Sequence, residues 1–291
     1  MLDFSHIASA ANSALDVSYF VGTDPNTTTT TQYMYTRSWS KPRGARLILM
    51  LSVSGGLPGN NGTTINGGGG GRSGACAISL YPAVFVSDTL SITPGSHGIG
   101  PSATSNARCS IASTGPARAS TLFNSVYSDL TSASASNAAY ASYTTAHLLS
   151  NCFAERGLTG TTTLGISMSS VGAFVYTGAP GGTPGAAGFG IDSIVSTITP
   201  PSIYQSVMVG GAAATATTPA AVGNPGICDF NRFIFTGGCG GGGGRAGTAD
   251  NGGNGGAGAP GCGGGGGGAS ALGTVGIGGK GGPGFVIIVS W

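Results

Sequence analysis

From Asn251 to Trp291 the chain reads NGGNGGAGAPGCGGGGGGASALGTVGIGGKGGPGFVIIVSW. In steps of three, glycine stands at Gly252, Gly255, Gly258, Gly261, Gly264, Gly267, Gly273, Gly276, Gly279 and Gly282, with Ser270 the single interruption. A period of three belongs neither to an amphipathic helix nor to a half-buried strand, which repeat at about 3.6 and 2 residues. It is the period of the polyproline II screw, where every third residue faces one way and glycine lets neighbouring backbones approach closely. Collagen shares the period but needs proline at about 15–20% or more. This run holds only Pro260 and Pro283, and glycine is also frequent off the third position. A flexible linker and polyglycine-type strands bundled side by side remain. Fixing a residue costs about 1–2 kcal/mol, and glycine has the most freedom to lose. The bundled reading therefore demands dense packing, with other chains expected to contribute. On that reading the fold class is mainly β: short strands with a glycine-rich, polyglycine II-like packed core and an inserted segment of mixed structure.

Charge narrows the function classes. Only 7% of the 291 residues are charged and the net charge is +2, against about 25% charged residues in an ordinary soluble domain. The charges are scattered, which leaves no footprint for nucleic acid or for an anionic membrane. No apolar run reaches the 18 or so residues that a membrane helix needs. The start MLDFSHIASAANSALDVSYF lacks a basic region followed by a clean apolar one, so a secretory signal is not expected. Cys76, Cys109, Cys152, Cys228, Cys239 and Cys262 form no C-x-x-C pair and have no accompanying histidine cluster. Free, partly buried thiols are expected, with disulfides or a metal site as the alternative.

Along the chain, residues 1–31 read as an arm closed by a polar spacer with a turn at Asp24-Pro25. An ordinary N-terminal strand or short helix lying on its own domain fits the same text. From Tyr33 the text turns to strands. A Lys41-Pro42-Arg43-Gly44 turn leads into Ala45 to Val53, an apolar run suited to burial on both faces. A glycine tract and two short strands around Tyr81-Pro82 follow.

Trp39, Lys41-Pro42, Gly44-Ala45, the Val/Leu/Ile strand, Gly67 to Gly71 and Thr89-Leu90-Ser91-Ile92-Thr93-Pro94-Gly95 stand in an order that resembles the glycine-rich domain of bacteriophage tail-fibre and related virion proteins. The closing strand, Gly282 to Ile288, matches the end of that pattern. Pro94 stands where the family usually has valine, and the first glycine tract is short. The resemblance covers roughly residues 33–118 and 230–291. It implies an N-terminal attachment arm at 1–31, a glycine-rich β domain in two halves at 32–118 and 232–291, and an insertion at 119–231 as the candidate contact surface.

Within that insertion, Leu122, Val126, Leu130, Tyr140, Tyr143 and Leu148 stand at loose helical spacing, the chain's only helix-compatible text, though its Ser, Thr and Asn content lowers helix propensity. Strand-like text resumes at 161–178 and 190–211. The aromatic residues Tyr127, Tyr140, Tyr143, Phe153, Phe174, Tyr176 and Tyr204 serve either as core or as a recognition surface. Tyr127, Tyr140 and Tyr143 are the candidate receptor contacts. The triplet glycines, Trp39 and Pro42 are the candidate packing positions.

Catalytic signals are weak. G-x-G-x-x-G matches arise by accident in such text, and a dinucleotide site needs a following helix that a glycine tract cannot form. Gly279-Lys280-Gly281 lacks the Ser or Thr that follows a P-loop lysine. His6, His97 and His147 lie in different segments. Only a pair of carboxylates drawn from Asp88, Asp129, Glu155, Asp192 and Asp229 leaves an enzymatic route open. No cofactor, metal or catalytic residue is expected.

The expected function is a non-enzymatic structural virion protein, a tail-fibre or spike subunit with a host-attachment role. The alternatives are a capsid decoration or head-fibre protein that stabilises the shell, and a tail-associated depolymerase. The expected partners are other copies of itself, as a homo-oligomer and most simply a trimer, other virion proteins through the arm, and host-surface polysaccharide or protein. Its expected location is the virion, assembled in the host cytoplasm.

Overall fold

A computed structural model describes residues 15–22, 36–53, 55–71, 74, 76–96, 109–113, 125–130, 139–143, 149–153, 178–190, 210–229, 234–235 and 237–291. Twelve strands occur among them: β1 Asp16–Val21, β2 Arg37–Ser40, β3 Leu47–Val53, β4 Cys76–Pro82, β5 Thr89–Thr93, β6 Cys109–Ser113, β7 Ser125–Leu130, β8 Ala139–Tyr143, β9 Leu149–Phe153, β10 Cys228–Asp229, β11 Ile234–Phe235 and β12 Phe285–Ser290. One five-stranded sheet runs β1-β12-β3-β4-β9, a second runs β2-β5-β6-β7-β8, and β10 pairs with β11. The fold is mainly β, and every pairing is antiparallel.

Alternation along β3 and β12 explains why their text is apolar throughout. Ile48, Met50, Val286 and Ile288 pack with Trp39, Leu90, Ile92 and Ile111 of the second sheet. Leu51, Val53, Phe285, Ile287 and Val289 face the other way and meet Ala259 and Cys262 of the glycine-rich region. A strand covered on both faces has no polar side to write into its sequence. Each such aliphatic side chain contributes about 1.5–3 kcal/mol on full burial.

The first sheet continues into the glycine-rich text without losing register. Phe285 lies opposite Val53, and beyond it Gly56, Gly59 and Gly62 donate in turn to the carbonyls of Gly282, Gly279 and Gly276. On the other side, Val53 pairs with Cys76, and Asn60 then donates to Gly69 and Thr63 to Asn66. Past the sheet the hydrogen bonds recur every third residue instead of every second. Three directions of bonding per segment then replace the two edges of a strand.

That change allows a three-dimensional lattice. Segment 261–270 exchanges backbone hydrogen bonds with six others, 55–63, 66–74, 178–183, 237–244, 251–260 and 273–283. Segment 237–244 likewise bonds to 178–185, 186–190, 210–215, 219–226, 251–258 and 261–270. Within these interior segments Gly240 to Gly244 and Gly263 to Gly268 are unbroken glycine, and the geometry requires it. A Cβ on Gly264, Gly265 or Gly266 would stand 2.1, 1.9 and 1.9 Å from the carbonyl oxygens of Gly279, Cys239 and Gly68, three different neighbours for three successive residues. Real Cβ atoms never come so near, so none of these three glycines admits a side chain, although Cys239 and Cys262 elsewhere in the two segments are accommodated.

An outer segment has one face in solvent, and there the period of three becomes visible. In 251–258, Gly252, Gly253, Gly255, Gly256 and Gly258 are blocked by neighbouring backbone, while Asn251, Asn254 and Ala257 are exposed. Ser270, the break in the triplet frame, is a turn residue. Its amide still donates to Thr63, while its buried hydroxyl donates to the Asp250 carbonyl at 2.6 Å and accepts from the Gly273 amide at 2.9 Å. Among the described residues these glycine contacts are made within the chain itself.

The text with helical spacing forms strands. β7, β8 and β9 fall on 125–130, 139–143 and 149–153, and the helix expectation is corrected. Ser and Tyr are the commonest residues in those stretches; their helix propensity is weak, and Tyr suits a pleated surface.

Candidate functional site

Two ends of the molecule differ in chemistry. Segment 55–63 leaves β3 and runs away from the first sheet, and 178–183, 210–215, 237–244 and 261–270 run parallel to it. The turns that follow them, 63–66, 183–186, 215–218, 245–250 and 270–273, therefore gather at the end remote from that sheet. Threonine and small residues dominate these turns. Thr63 and Thr215 accept backbone amides two and three residues on through Oγ1. One charged pair interrupts the neutral surface. Arg245 binds Asp250 through Nε and Nη2, and Thr248 Oγ1 donates to the same carboxylate at 2.7 Å. The Arg245 hydrogen bond, with that of Thr248, holds the Asp250 carboxyl below the usual carboxylate range.

The opposite end holds the Lys41-Pro42-Arg43-Gly44-Ala45 turn. Gly44 has φ +85°, a conformation that favours glycine, and the Ala45 amide closes the turn on Pro42 O at 3.3 Å. Lys41 Nζ donates to the carbonyls of Ala83 at 3.2 Å and Val86 at 2.8 Å and pairs with Asp88 Oδ1 at 2.9 Å. The motif lysine thus ties the turn to the segment entering β5, reaching the carbonyl of the first residue of the 3-10 turn Ala83–Phe85 and that of the residue after it. Between turn and segment lies a cleft of about 560 Å³, lined by residues that include Ser40, Arg43, Val84 and Asp88. This lysine role has a sequence signal, a Lys-Pro-x-Gly turn before a strand, but its partners lie too far along the chain to be read from it.

The residues singled out by sequence fall as follows. Trp39 is buried between the sheets, and Pro42 lines the cleft. Gly252, Gly255 and Gly258 donate to the 274–280 stretch, Gly261 to Pro283, Gly264 and Gly267 to Leu57 and Asn60, and Gly276, Gly279 and Gly282 to 262–268. Gly273 donates to the Ser270 hydroxyl. Register puts Tyr127 opposite Ser142 and Tyr140 opposite Asp129, on one face of the second sheet, and Tyr143 opposite Val126, on the other. Phe174, Tyr176, Tyr204, Glu155, Asp192 and the three histidines lie outside the described residues, as do 1–14 and 23–31 of the arm. Residues 178–190 and 210–227 of the 119–231 stretch bond into the lattice. Cys228, Cys239 and Cys262 are free thiols, the last two buried.

Sequence reasoning did not single out three asparagines. Asn251, Asn254 and Asn61 accept the amides of Thr274, Ile277 and Gly278 through Oδ1, capping outward N–H groups on segment 273–283. The repeated Asn-Gly-Gly step was the available signal.

This mainly β, lattice-forming chain belongs to the glycine-rich domain family, whose profile matches residues 28–291. Among curated proteins none matches it.

Proposed function

We propose that the chain is a non-enzymatic structural protein of a tailed-bacteriophage virion, a tail-fibre or spike subunit that helps attach the particle to its host. In this reading the hydrogen-bonded glycine segments are a polyglycine II-like packed core serving as a stiff, protease-resistant scaffold. The arm at 1–31 joins the particle, copies associate as a homo-oligomer, and the second sheet offers Tyr127 and Tyr140, which register puts on one face, toward host-surface polysaccharide or protein.

The observation that carries the proposal is the unbroken register from a hydrophobic sheet into a glycine lattice. Such a body is expensive in backbone entropy and offers little catalytic equipment, which suits a mechanical role. The resemblance of the Trp39 to Ala45 and Thr89 to Gly95 elements supplies the virion context.

The test is placement in the intact particle by electron microscopy, together with adsorption. Purified chain is expected to block adsorption of the particle to host cells, and the Tyr127→Ser/Tyr140→Ser variant is expected to lose that block while still oligomerising. A capsid position with no competition would replace the adhesion reading with shell decoration.

A further inference from the structure

Among the described residues the first strand of the second sheet has an open side. β2 is terminal in its sheet, with β5 on one flank. Lys41 donates to Asp88 in register with the β2–β5 ladder. By alternation Arg37 and Trp39 also turn their backbone groups toward β5, which leaves those of Ser38 and Ser40 on the outer edge. Arg37, Ser38 and Ser40 are exposed. An exposed row of unpaired N–H and C=O groups is a template for another strand.

Positive charge is concentrated beside this edge. Arg37, Lys41, Arg43 and Arg46 are four of the chain's eleven basic residues, within ten positions. Lys41 is committed to Asp88 and two carbonyls. Among the described residues no carboxylate pairs with Arg37, Arg43 or Arg46, and all three are exposed. The 560 Å³ cleft begins at Ser40 and runs beneath Arg43. Three steps of an extended chain, at about 3.3 Å each, span the distance from Ser40 back to Arg37.

We propose that β2 and the adjoining cleft dock an extended acidic segment of a protein partner, added as a strand. Backbone bonds form to Ser38 and Ser40, and carboxylates on alternate residues of the segment pair with Arg37 and with Arg43 or Arg46. Asp88 sets the register by repelling any carboxylate placed opposite it. β1 pairs Asp16 with Ser290, so β1 begins at this same end of the first sheet. The inference stands independently of the virion reading.

The probe is a fluorescein-labelled Thr-Glu-Thr-Glu-Thr-Glu peptide, followed by anisotropy on the full chain at low salt. Its controls are the Thr-Lys counterpart and an acidic peptide N-methylated on alternate residues. Saturable binding of the acidic peptide alone is expected. Arg43→Glu with Arg46→Glu should weaken it about tenfold or more through charge reversal, and Ser38→Pro should do so by about tenfold through the lost edge donor. Unchanged tryptophan emission in each variant certifies the fold, since Trp39 is buried. Absence of binding, equal binding of the lysine peptide, or indifference to Ser38→Pro overturns the proposal.

Discussion

The sheets and the glycine lattice are both buried, but opposite features hold them. Around β3 and β12 the interior is filled by large side chains, and Ile48, Met50, Phe285 and Ile288 are almost wholly inaccessible. In segments 237–244 and 261–270 the interior is filled mostly by backbone, and side chains are excluded at the glycines. A glycine lattice gains about 0.5–1.5 kcal/mol net per hydrogen bond, close to the 1–2 kcal/mol that ordering each residue costs. It therefore has little surplus of its own. The continuous register from β3 and β12 gives it a template, and hydrophobic burial in the sheets supplies the margin.

The comparison breaks hardest at an interior glycine. Gly266→Val should abolish folding, because the added atoms meet Gly68 and Gly181 backbone with no room to yield; even Gly266→Ala should cost at least about 3 kcal/mol by chemical denaturation. Ala257→Val, on the exposed face of an outer segment, is the matched control and should change stability by under about 0.5 kcal/mol. Equal effects of the two would end the distinction between interior and outer segments.

Next in size is the sheet itself. Ile288→Ala should cost about 2–5 kcal/mol, and it should speed amide exchange in 261–268 as well as in β12. Fast exchange in the sheet with an unaffected lattice would show the two regions to be independent. Ser270→Ala removes a buried hydroxyl that bonds to Asp250 and Gly273 and should cost about 1–3 kcal/mol.

The smallest effect concerns pH. The depressed folded-state carboxyl of Asp250 contributes stability that is present above its unfolded value, near 3.8, and is lost as pH falls through the lower folded value. Wild type should therefore lose its small advantage over Asp250→Asn only below that value, as read from thermal midpoints across pH. An advantage that persists at the acid end would contradict the pairing.

Much of this was legible, for reasons that differ by region. Ala45 to Val53 and Phe285 to Ser290 are apolar at every step or nearly so, which marks strands covered on both faces. The triplet frame of 252–282 marks hydrogen-bonding faces, because each residue of the triplet addresses a different neighbour. The signal is clearest where it matters least. Outer segments show the period since one face is free, whereas interior runs such as Gly263 to Gly268 have no period to detect. Ser270 looked like a flaw and is a turn cap, since sequence does not say where a three-residue screw reverses. β7 to β9 were obscured because Leu122, Val126 and Leu130 fit a helical spacing by chance, and pairing partners such as Ser110 for Tyr127 are set by topology. The Lys41 contacts with Ala83, Val86 and Asp88 are likewise long-range.

Residue-resolved amide hydrogen exchange on the intact chain tests the account most directly. The amides of Gly264, Gly265, Gly266, Gly267 and Gly268 each have a backbone acceptor, and they should exchange as slowly as those of Ile287 and Ile288 in β12. Exchange of those five glycines at the rate of an unstructured peptide, with β12 still protected, would contradict it.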